Sequence, residues 1–327
     1  MASTSNPLVS VITAAYNVGP FIETAIQSVL NQTFTDLELI VVNDGSTDDG
    51  PRKIAAFQHP RLRVIHQPNR GSAEARNAGV AIARGQYLAF LDGDDAWEPR
   101  KLELQLAIHA SHPETDLSYT LSHLMNEAGK VIGVMSGDVD GPVSFLDLLR
   151  ENRTRNGSCV MLRAAAIREA GGFDPTLRSS VDYDCWLRIA LLRPNNVLCL
   201  ARPLTYYRRR KGQITSDWRR MRASQTMMFD RYEQFAPQHL WVRTRAESDR
   251  CRYYAFLAYE EGAYGEAMRL LGEGFRKAPA AFLRDSRSWT MGAAILTGAL
   301  LPGSIHRWVE RSALAVRARI LAALYKD

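Results

Sequence analysis

Short apolar runs and helical apolar patterns alternate along the first hundred residues of the chain. Apolar runs at 8–14, 37–43, 62–66 and 88–91 are short and tightly bounded, which favours strands over helices. Between the first two runs, apolar residues of the segment 21–30 recur at helical spacing and give a helix one apolar face. This alternation predicts an α/β fold with a mostly parallel sheet flanked by helices.

The alternation continues with weaker signals to about residue 212, and after it the pattern is almost wholly helical. Helices are predicted at 99–111, 144–149, 163–170 and 182–192, and strands at 116–121, 130–134, 158–162 and 196–206. We therefore expect a strand-containing domain over residues 1–216 and a helical C-terminal region over residues 217–327.

Three carboxylates follow directly after the fourth apolar run, as Asp92, Asp94 and Asp95. In open α/β sheets, ligands bind outside the carboxyl ends of the strands. Clustered carboxylates repel one another unless a cation joins them, and hard oxygen ligands suit Mg²⁺ or Mn²⁺ shared with substrate phosphates. A solvated acidic turn is the alternative when this run is taken alone.

Polar residues also end two other predicted strands, with Tyr16 after the first and Asp44 after the second. Right-handed crossovers would bring these ends to one edge of the sheet, beside the carboxylates. The chain has neither Gly-x-Gly-x-x-Gly after its first strand nor Gly-x-x-x-x-Gly-Lys. The pattern thus predicts a shared cleft that is neither a dinucleotide-binding crevice nor a P-loop.

Composition adds a modest basic excess, with 41 basic and 35 acidic residues and a net charge of +6. Such an excess fits anionic lipid, phosphate-bearing substrates or nucleic acid equally well. The four cysteines form no Cys-x-x-Cys pair, which argues against a zinc knuckle or a disulfide framework and indicates a reducing compartment. The first residues lack the layout of a signal peptide, and the longest apolar stretch, 289–301, is shorter than the roughly 20 residues of a bilayer span. A cytoplasmic location is expected.

Six segments, in this order, resemble the family 2 glycosyltransferases of GT-A fold. They are Val9-Ser10-Val11-Ile12-Thr13-Ala14-Ala15-Tyr16-Asn17, Val42-Asn43-Asp44-Gly45-Ser46-Thr47-Asp48, Asn69-Arg70-Gly71 with Ala75-Arg76-Asn77-Ala78-Gly79, Leu91-Asp92-Gly93-Asp94-Asp95, Gly171-Gly172-Phe173-Asp174, and Asp182-Tyr183-Asp184-Cys185-Trp186-Leu187-Arg188. The resemblance covers residues 7–216. It implies a GT-A fold followed by a helical C-terminal extension.

The resemblance also implies transfer of one sugar from a nucleotide-diphosphate donor, expected to be a UDP-sugar, with inversion at the anomeric carbon. Asp94 and Asp92 match the family's metal-binding pair, which implies Mn²⁺ or Mg²⁺ as cofactor. Asp182 matches the general base. The resemblance also implies contacts with the nucleotide sugar. The residues concerned are Ala14, Tyr16, Asp44, Arg70, Arg76, Asp92 and Arg210.

Two positions depart from the family pattern. Val181 stands where the family usually has a glutamate before the base, so Asp184 is kept as a second candidate, although it is expected to point away from Asp182 and to pair with Arg188. Arg210 stands where many relatives have a histidine, and arginine clamps phosphate but binds no metal. We expect metal dependence to persist and to be weaker than in relatives with the histidine.

The expected acceptor is a glycan or a lipid-linked saccharide. The Gln-x-x-Arg-Trp motif of processive synthases is absent, which favours single additions over polymerisation. The alternative is a non-catalytic protein that kept the fold and binds a nucleotide sugar or a partner. Nucleic-acid binding and nucleotidyl transfer are not expected, because the basic span lacks interleaved aromatic residues and the first strand lacks a glycine-rich basic loop after it.

The C-terminal region leaves several alternatives open. The basic span at 208–222 is either a solvated face or a contact with an anionic membrane. Residues 254–279 resemble a single tetratricopeptide-type helical pair, which would pack on the catalytic domain or on a second subunit in a homodimer. Residues 289–301, followed by Arg307, Arg311, Arg317 and Arg319, form either an interfacial amphipathic helix or a buried core helix.

Overall fold

A computed structural model of the protein describes residues 6–135, 138–210, 213, 217–235 and 240–301. The predicted helix-rich end of the chain is therefore described as far as residue 301. Arg307, Arg311, Arg317 and Arg319 lie outside the described residues, and so do Lys211 and the predicted boundary residue 216.

Strands and helices alternate through the first half of the chain, and every element in the described residues after the last strand is a helix. The strands are β1 (Val9–Ala15), β2 (Leu37–Asp44), β3 (Leu62–Gln67), β4 (Tyr87–Asp92), β5 (Ala96–Trp97), β6 (Leu117–Met125), β7 (Val131–Met135), β8 (Gly141–Pro142), β9 (Val160–Arg163) and β10 (Val197–Arg208). The helices are α1 (Ile22–Leu30), α2 (Gly50–Ala55), α3 (Ser72–Ile82), α4 (Lys101–Ser111), α5 (Phe145–Arg150), α6 (Ala164–Glu169), α7 (Val181–Leu192), α8 (Trp218–Phe235), α9 (Leu240–Glu260), α10 (Tyr264–Lys277), α11 (Pro279–Arg284) and α12 (Ser286–Leu300).

The strands form one mixed sheet in the order β3-β2-β1-β4-β9-β6-β10-β5, with β7 beside β6 and β8 beside β10. The first four strands are parallel, as their helical crossovers require, whereas β9 runs antiparallel to both β4 and β6. All eight residues of β2 are buried, which explains why a continuous apolar run and not an alternating pattern marks this strand. The sheet therefore brings the carboxyl ends of β1, β2 and β4 to the same edge.

Helix α1 covers one face of this sheet through Ile22, Ala25, Ile26 and Val29, which recur at the predicted helical spacing. These side chains share one buried cluster with residues of β1, β2 and β4. The strand ends that carry the polar residues are thus fixed by a packed core directly below them.

The chain divides into two compact units. The first, which we call the sheet unit, consists of Met1–Thr215 together with Ala223–Arg231, a segment of α8. The second, the helical unit, consists of Ser216–Arg222 and Tyr232–Asp327. The predicted domain boundary between residues 216 and 217 stays a prediction.

In the helical unit, α9 and α10 pack closely, because Gly274 lets the backbones approach at Ser248 and Cys251. Ser248 Oγ donates to the Gly274 carbonyl at 2.8 Å. Helix α12 buries Met291 and Ile295 and exposes Trp289 and Leu296. One face of this helix therefore packs in the core of the helical unit, and the opposite face is exposed. Within the described residues, no helix is both long and apolar enough to cross a membrane.

Candidate functional site

The acidic loop leaves β4 through a crowded turn at Gly93. Gly93 donates its backbone N–H to the Ala14 carbonyl of β1 at 3.2 Å. A Cβ on Gly93 would lie 2.8 Å from Val18 Cγ2. The close approach of the two strand ends therefore places the carboxylates on either side of Gly93 over the end of β1.

Asp92, Arg76 and Asp182 form one charged cluster. Arg76 Nη2 donates to Asp92 Oδ1 at 2.5 Å, and Arg76 is buried on α3 against the ring of Phe173. Burial alone would lower the pKa of Arg76, but the carboxylates of Asp92 and Asp182 outweigh it and raise that pKa. Arg76 is therefore held as a cation between two carboxylates that come from distant parts of the chain.

Asp182 lies in the first turn of α7, where its Oδ1 accepts the Tyr183 backbone N–H at 2.9 Å. Burial raises the pKa of Asp182, Arg76 opposes this shift, and Asp92 adds to it. A raised pKa is suited to a group that takes a proton during a reaction. Burial also raises the pKa of Asp184, so the two aspartates differ in their partners: the Asp184 carboxylate accepts both Nε and Nη2 of Arg188, as predicted.

The start of α7 is held by the part of α8 that belongs to the sheet unit. Ser224 Oγ accepts the backbone N–H groups of Arg178 and Ser179 at 3.2 and 3.1 Å. Gln225 Nε2 donates to Ser180 Oγ at 3.1 Å, next to the left-handed backbone of Ser180 at φ 57°. These contacts fix the loop from which Asp182 emerges.

Asp94 is paired with Arg210, which donates Nε to Asp94 Oδ2 at 2.7 Å. Burial raises the pKa of Asp94 and the charge of Asp92 adds to this, while Arg210 acts against both. Arg208, two residues earlier at the end of β10, donates Nε to the Asp94 carbonyl at 2.8 Å. Two arginines from one strand end thus hold both the backbone and the side chain of Asp94.

Asp95 is a structural anchor below the other two carboxylates. Its side chain is buried, accepts Ser158 Oγ at 2.6 Å and accepts the Arg208 backbone N–H at 2.9 Å. Burial, together with Asp94 and Asp92, raises the pKa of Asp95 well above its ordinary value. Ser158 Oγ also accepts the Asp92 backbone N–H at 3.0 Å, so Asp95 and Ser158 together set the position of the loop.

Asp44 clamps the loop that follows β3. Its Oδ1 accepts Gln67 Nε2 at 2.8 Å and the Arg70 backbone N–H at 2.9 Å, while its Oδ2 accepts the Gly71 backbone N–H at 2.8 Å. Gly71 has φ 93°, a conformation that glycine adopts without strain. Tyr16 lies beyond β1 and is 46% exposed, and the Arg70 side chain is also exposed.

The structure therefore brings Arg76, Asp92 and Asp182 together, and it brings Arg210 to Asp94. Asp44 and Arg70 meet through a backbone hydrogen bond at the neighbouring strand end. The cofactor, nucleoside and base roles given to these residues stay predictions.

The carboxylates of the acidic loop fit a divalent cation that is shared with a substrate. Arg76 binds one oxygen of Asp92 and Arg210 binds one oxygen of Asp94, so each carboxylate has a second oxygen to offer. The described residues hold no cluster of three or more His, Cys, Asp or Glu side chains arranged around a metal position. A cation here would depend on one or two carboxylates, water and substrate phosphates, the set that Mg²⁺ and Mn²⁺ commonly use.

The sequence pattern assigns no anchoring role to Arg208, Asp95 or Ser158. Asp95 carried a usable signal, because a third carboxylate in one short run is costly unless it is anchored. Ser158 carried none, because a Gly-Ser pair before a strand is typical of any loop. Arg208 was hidden in the basic span that was considered for lipid contact.

Comparison with known proteins finds a family match over the segment that carries Asp44, Arg76, Asp92 and Asp94. A model described as "Glycosyl transferase family 2" matches residues 10–123. The chondroitin synthase of Escherichia coli is 35% identical over 206 residues, which cover 61% of this chain and 29% of that protein. A putative glycosyltransferase, EpsH of Bacillus subtilis (strain 168), is 42% identical over 188 residues, 54% of this chain and 53% of that protein.

Solved structures share the GT-A fold at low sequence identity. S. aureus TarS 1–349 in complex with UDP-GlcNAc superimposes with a TM-score of 0.57 at 17% identity, covering 87% of this chain and 92% of that chain. The mannosyltransferase PcManGT of Pyrobaculum calidifontis, in complex with GDP-Man and Mn²⁺, gives 0.53 at 21% identity over 99% of this chain and 89% of that chain. The chain spans less than a third of the length of the first curated relatives that it matches.

Proposed function

We propose, on the premise that the chain belongs to glycosyl transferase family 2 through residues 10–123, that it is a glycosyltransferase using a nucleotide-diphosphate sugar. It moves a single sugar to a hydroxyl of a glycan or a lipid-linked saccharide, with inversion at the anomeric carbon. The observation that carries the proposal is the charged cluster of Asp92, Arg76 and Asp182 at one edge of the sheet.

Asp182 acts as the general base in this proposal. Asp182 is a half-buried residue in the first turn of a helix, and burial raises the pKa of its carboxyl group. It would take the proton from the acceptor hydroxyl as that oxygen forms a bond to the anomeric carbon. The bond from the anomeric carbon to the diphosphate breaks in the same displacement, so no covalent enzyme intermediate is required.

Asp92 and Asp94 would hold Mn²⁺ or Mg²⁺, which as a Lewis acid neutralises charge on the leaving diphosphate. Arg210, already within hydrogen-bonding distance of Asp94, is placed to bind a phosphate oxygen. Arg76 orients Asp92 and keeps its own charge between the two carboxylates. Ala14, Tyr16, Asp44 and Arg70 surround the nucleotide at the ends of β1 to β3.

The base assignment is tested with two matched substitutions on one helix, Asp182→Asn and Asp184→Asn. Asp182→Asn is expected to keep the fold, because burial already disfavours the charged form of Asp182. The substitution removes the proton acceptor and is expected to lower kcat by roughly 10²-fold or more. Asp184→Asn weakens the pair with Arg188 and is expected to lower stability by about 1–3 kcal/mol, while folded protein keeps its kcat. The reverse assignment of the two effects would refute Asp182 as the base.

The donor is tested by thermal shift with UDP-glucose, UDP-N-acetylglucosamine, UDP-glucuronic acid and GDP-mannose, each with Mn²⁺. We expect one UDP-sugar to stabilise the protein and to release UDP in the presence of a saccharide acceptor. Nuclear magnetic resonance of the product reports whether the anomeric configuration is inverted. Binding of a nucleotide sugar with neither transfer nor hydrolysis would instead support the non-catalytic alternative.

A further inference from the structure

Helix α12 of the helical unit presents a row of apolar side chains to solvent. The row consists of Trp289, Ala293, Leu296 and Leu300, and all four residues are exposed. Trp289 is 59% exposed, Leu296 is 51% exposed and Leu300 is 77% exposed. Residues that follow one another at intervals of three and four lie on one side of a helix. The four side chains therefore form one continuous surface, which we call the α12 stripe.

The folding of the helical unit uses a different side of α12. Met291 and Ile295 are buried there in one cluster with Leu270 and Leu271 of α10. Among the residues that the structure describes, this cluster accounts for the apolar residues on the buried side and leaves the α12 stripe exposed. Helices at the surface of soluble proteins usually carry polar residues on the side that faces water. An apolar row in that position indicates a surface that binds a partner.

Trp289 is held in a way that suits burial of its ring. Its Nε1 donates to the Leu283 carbonyl at 2.9 Å, so the polar atom of the indole has its partner within the protein. Leu283 is itself 48% exposed and adds apolar surface beside the start of the stripe. Because its hydrogen bond is internal, the indole can enter an apolar phase without leaving a donor unsatisfied.

The sequence around the stripe has an excess of positive charge. Residues 275–301 contain four basic residues and one acidic residue, namely Arg276, Lys277, Arg284, Arg287 and Asp285. Residues 302–327 of the sequence add five basic residues and two acidic ones. The headgroups of an anionic membrane attract lysine and arginine, while its interface takes up tryptophan and leucine. An apolar stripe in basic surroundings therefore matches such a membrane in both respects.

We infer that the α12 stripe is a contact with the surface of an anionic lipid bilayer. Helix α12 has 15 residues, or about 22 Å at 1.5 Å per residue, so it lies in the interface and does not cross a hydrocarbon core of about 30 Å. A second copy of the chain fits the stripe less well. A twofold contact would bring the same basic surroundings together, and like charges across an interface are unfavourable. The inference goes beyond the proposed function and does not depend on it.

The test measures binding of the full chain to vesicles of phosphatidylcholine alone and to vesicles that also contain phosphatidylglycerol. Cosedimentation gives the partition coefficients of the wild type, of Leu296→Gln and of the control Leu191→Gln. Leu191 is a 38% exposed leucine of α7, so the control makes the same substitution on a helix of the sheet unit. Light scattering after size exclusion gives the mass of each protein without lipid.

We expect the wild type to prefer the vesicles with phosphatidylglycerol and to bind them less in high salt, which screens the basic residues. Leu296→Gln is expected to lower the partition coefficient roughly tenfold, because an apolar side chain no longer leaves water on binding. Leu191→Gln is expected to change it less than about twofold, since that side chain lies outside the stripe.

A second readout shows which face enters the lipid. Bromine-labelled lipid is expected to quench the tryptophan fluorescence of the bound wild type. Trp289→Phe keeps an apolar ring at this position, so it is expected to bind and to be quenched less than the wild type.

Three results would overturn the inference. The first is that the wild type does not bind vesicles with phosphatidylglycerol, or binds both kinds of vesicle equally. The second is that Leu296→Gln partitions like Leu191→Gln, or that quenching is unchanged in Trp289→Phe. The third is a dimer of the wild type without lipid that Leu296→Gln dissociates, which would assign the stripe to a second copy of the chain.

Discussion

Lys101 is a cation enclosed in the sheet unit, and replacing it gives a test of stability that is independent of catalysis. The residue is 0% exposed at the start of α4. Its Nζ donates to Gln105 Oε1 at 2.6 Å and lies 4.0 Å from the centre of the Trp97 ring. The substitution Lys101→Met keeps most of the side-chain length and removes the charge.

The size of the effect follows from the pKa of the lysine. Burial lowers the pKa of Lys101 from 10.5 to about 7, with a small opposing contribution from Cys159. Each pKa unit corresponds to about 1.36 kcal/mol, so the charged form costs the folded state about 5 kcal/mol below pH 7. Loss of the hydrogen bond to Gln105 costs the variant about 1 kcal/mol at any pH.

The direction of the pH dependence follows from proton binding in the two states. Between pH 7 and pH 10.5 the unfolded chain holds a proton on this lysine and the folded chain does not, so the stability of the wild type rises with pH. Lys101→Met lacks this rise. The variant is therefore expected to be more stable than the wild type by about 4 kcal/mol at pH 6, and less stable by about 1 kcal/mol above pH 10.5.

Urea unfolding followed by tryptophan fluorescence at pH values from 6 to 10.5 measures this difference directly. The exposed Lys130 provides the control, since Lys130→Met should shift stability by less than about 0.5 kcal/mol at every pH. A stability difference between wild type and Lys101→Met that stays constant across this range would refute the reasoning.

Two further predictions concern the acidic loop. Ser158→Ala removes the hydrogen bond to Asp95 and the acceptor for the Asp92 N–H. The variant is expected to be less stable by about 1–3 kcal/mol and to bind Mn²⁺-UDP more weakly in calorimetry. Unchanged stability and unchanged Mn²⁺-UDP affinity would contradict the anchoring role of Ser158. Excess chelator is expected to lower the transferase activity of the wild type. The Arg210→His variant is expected to lose more activity in chelator than the wild type and to bind Mn²⁺ more tightly than the wild type. Full activity of the wild type in chelator would exclude metal dependence.

The sheet unit was predictable because two sequence patterns mark its elements, namely short apolar runs for strands and one-sided apolar spacing for helices. The strands β1, β2 and β4 are buried runs, and the intervening helices have one apolar face, so the local pattern and the packing agree. The antiparallel insertion of β9 between β4 and β6 was not predictable, since nothing in a four-residue strand specifies its neighbour. Pairing of that kind is decided by the rest of the sheet.

The sequence predicts site residues whose charges are costly to place close together. It does not predict residues whose charged partners are brought to them only by the tertiary fold. Asp92 and Asp94 stood out because adjacent carboxylates repel one another. Arg76 was ambiguous on a helix pattern, and only the tertiary fold brings it between Asp92 and Asp182. Ser158 gave no signal, because its contacts with Asp95 and Asp92 exist only once the turn before β9 has met the acidic loop.

The charges around the acidic loop explain why Arg210 is compatible with a cation-assisted reaction. Asp92 and Asp94 each have an arginine partner, but the two arginines are not equivalent. Arg76 is buried and shared with Asp182, so it is fixed, whereas Arg210 is held by Asp94 at the more open end of β10. Binding of a diphosphate would offer Arg210 a second anionic partner and lessen its hold on Asp94 Oδ2. The carboxylate would then be free for a cation in the same step that brings the phosphates, so that metal binding would depend on the nucleotide.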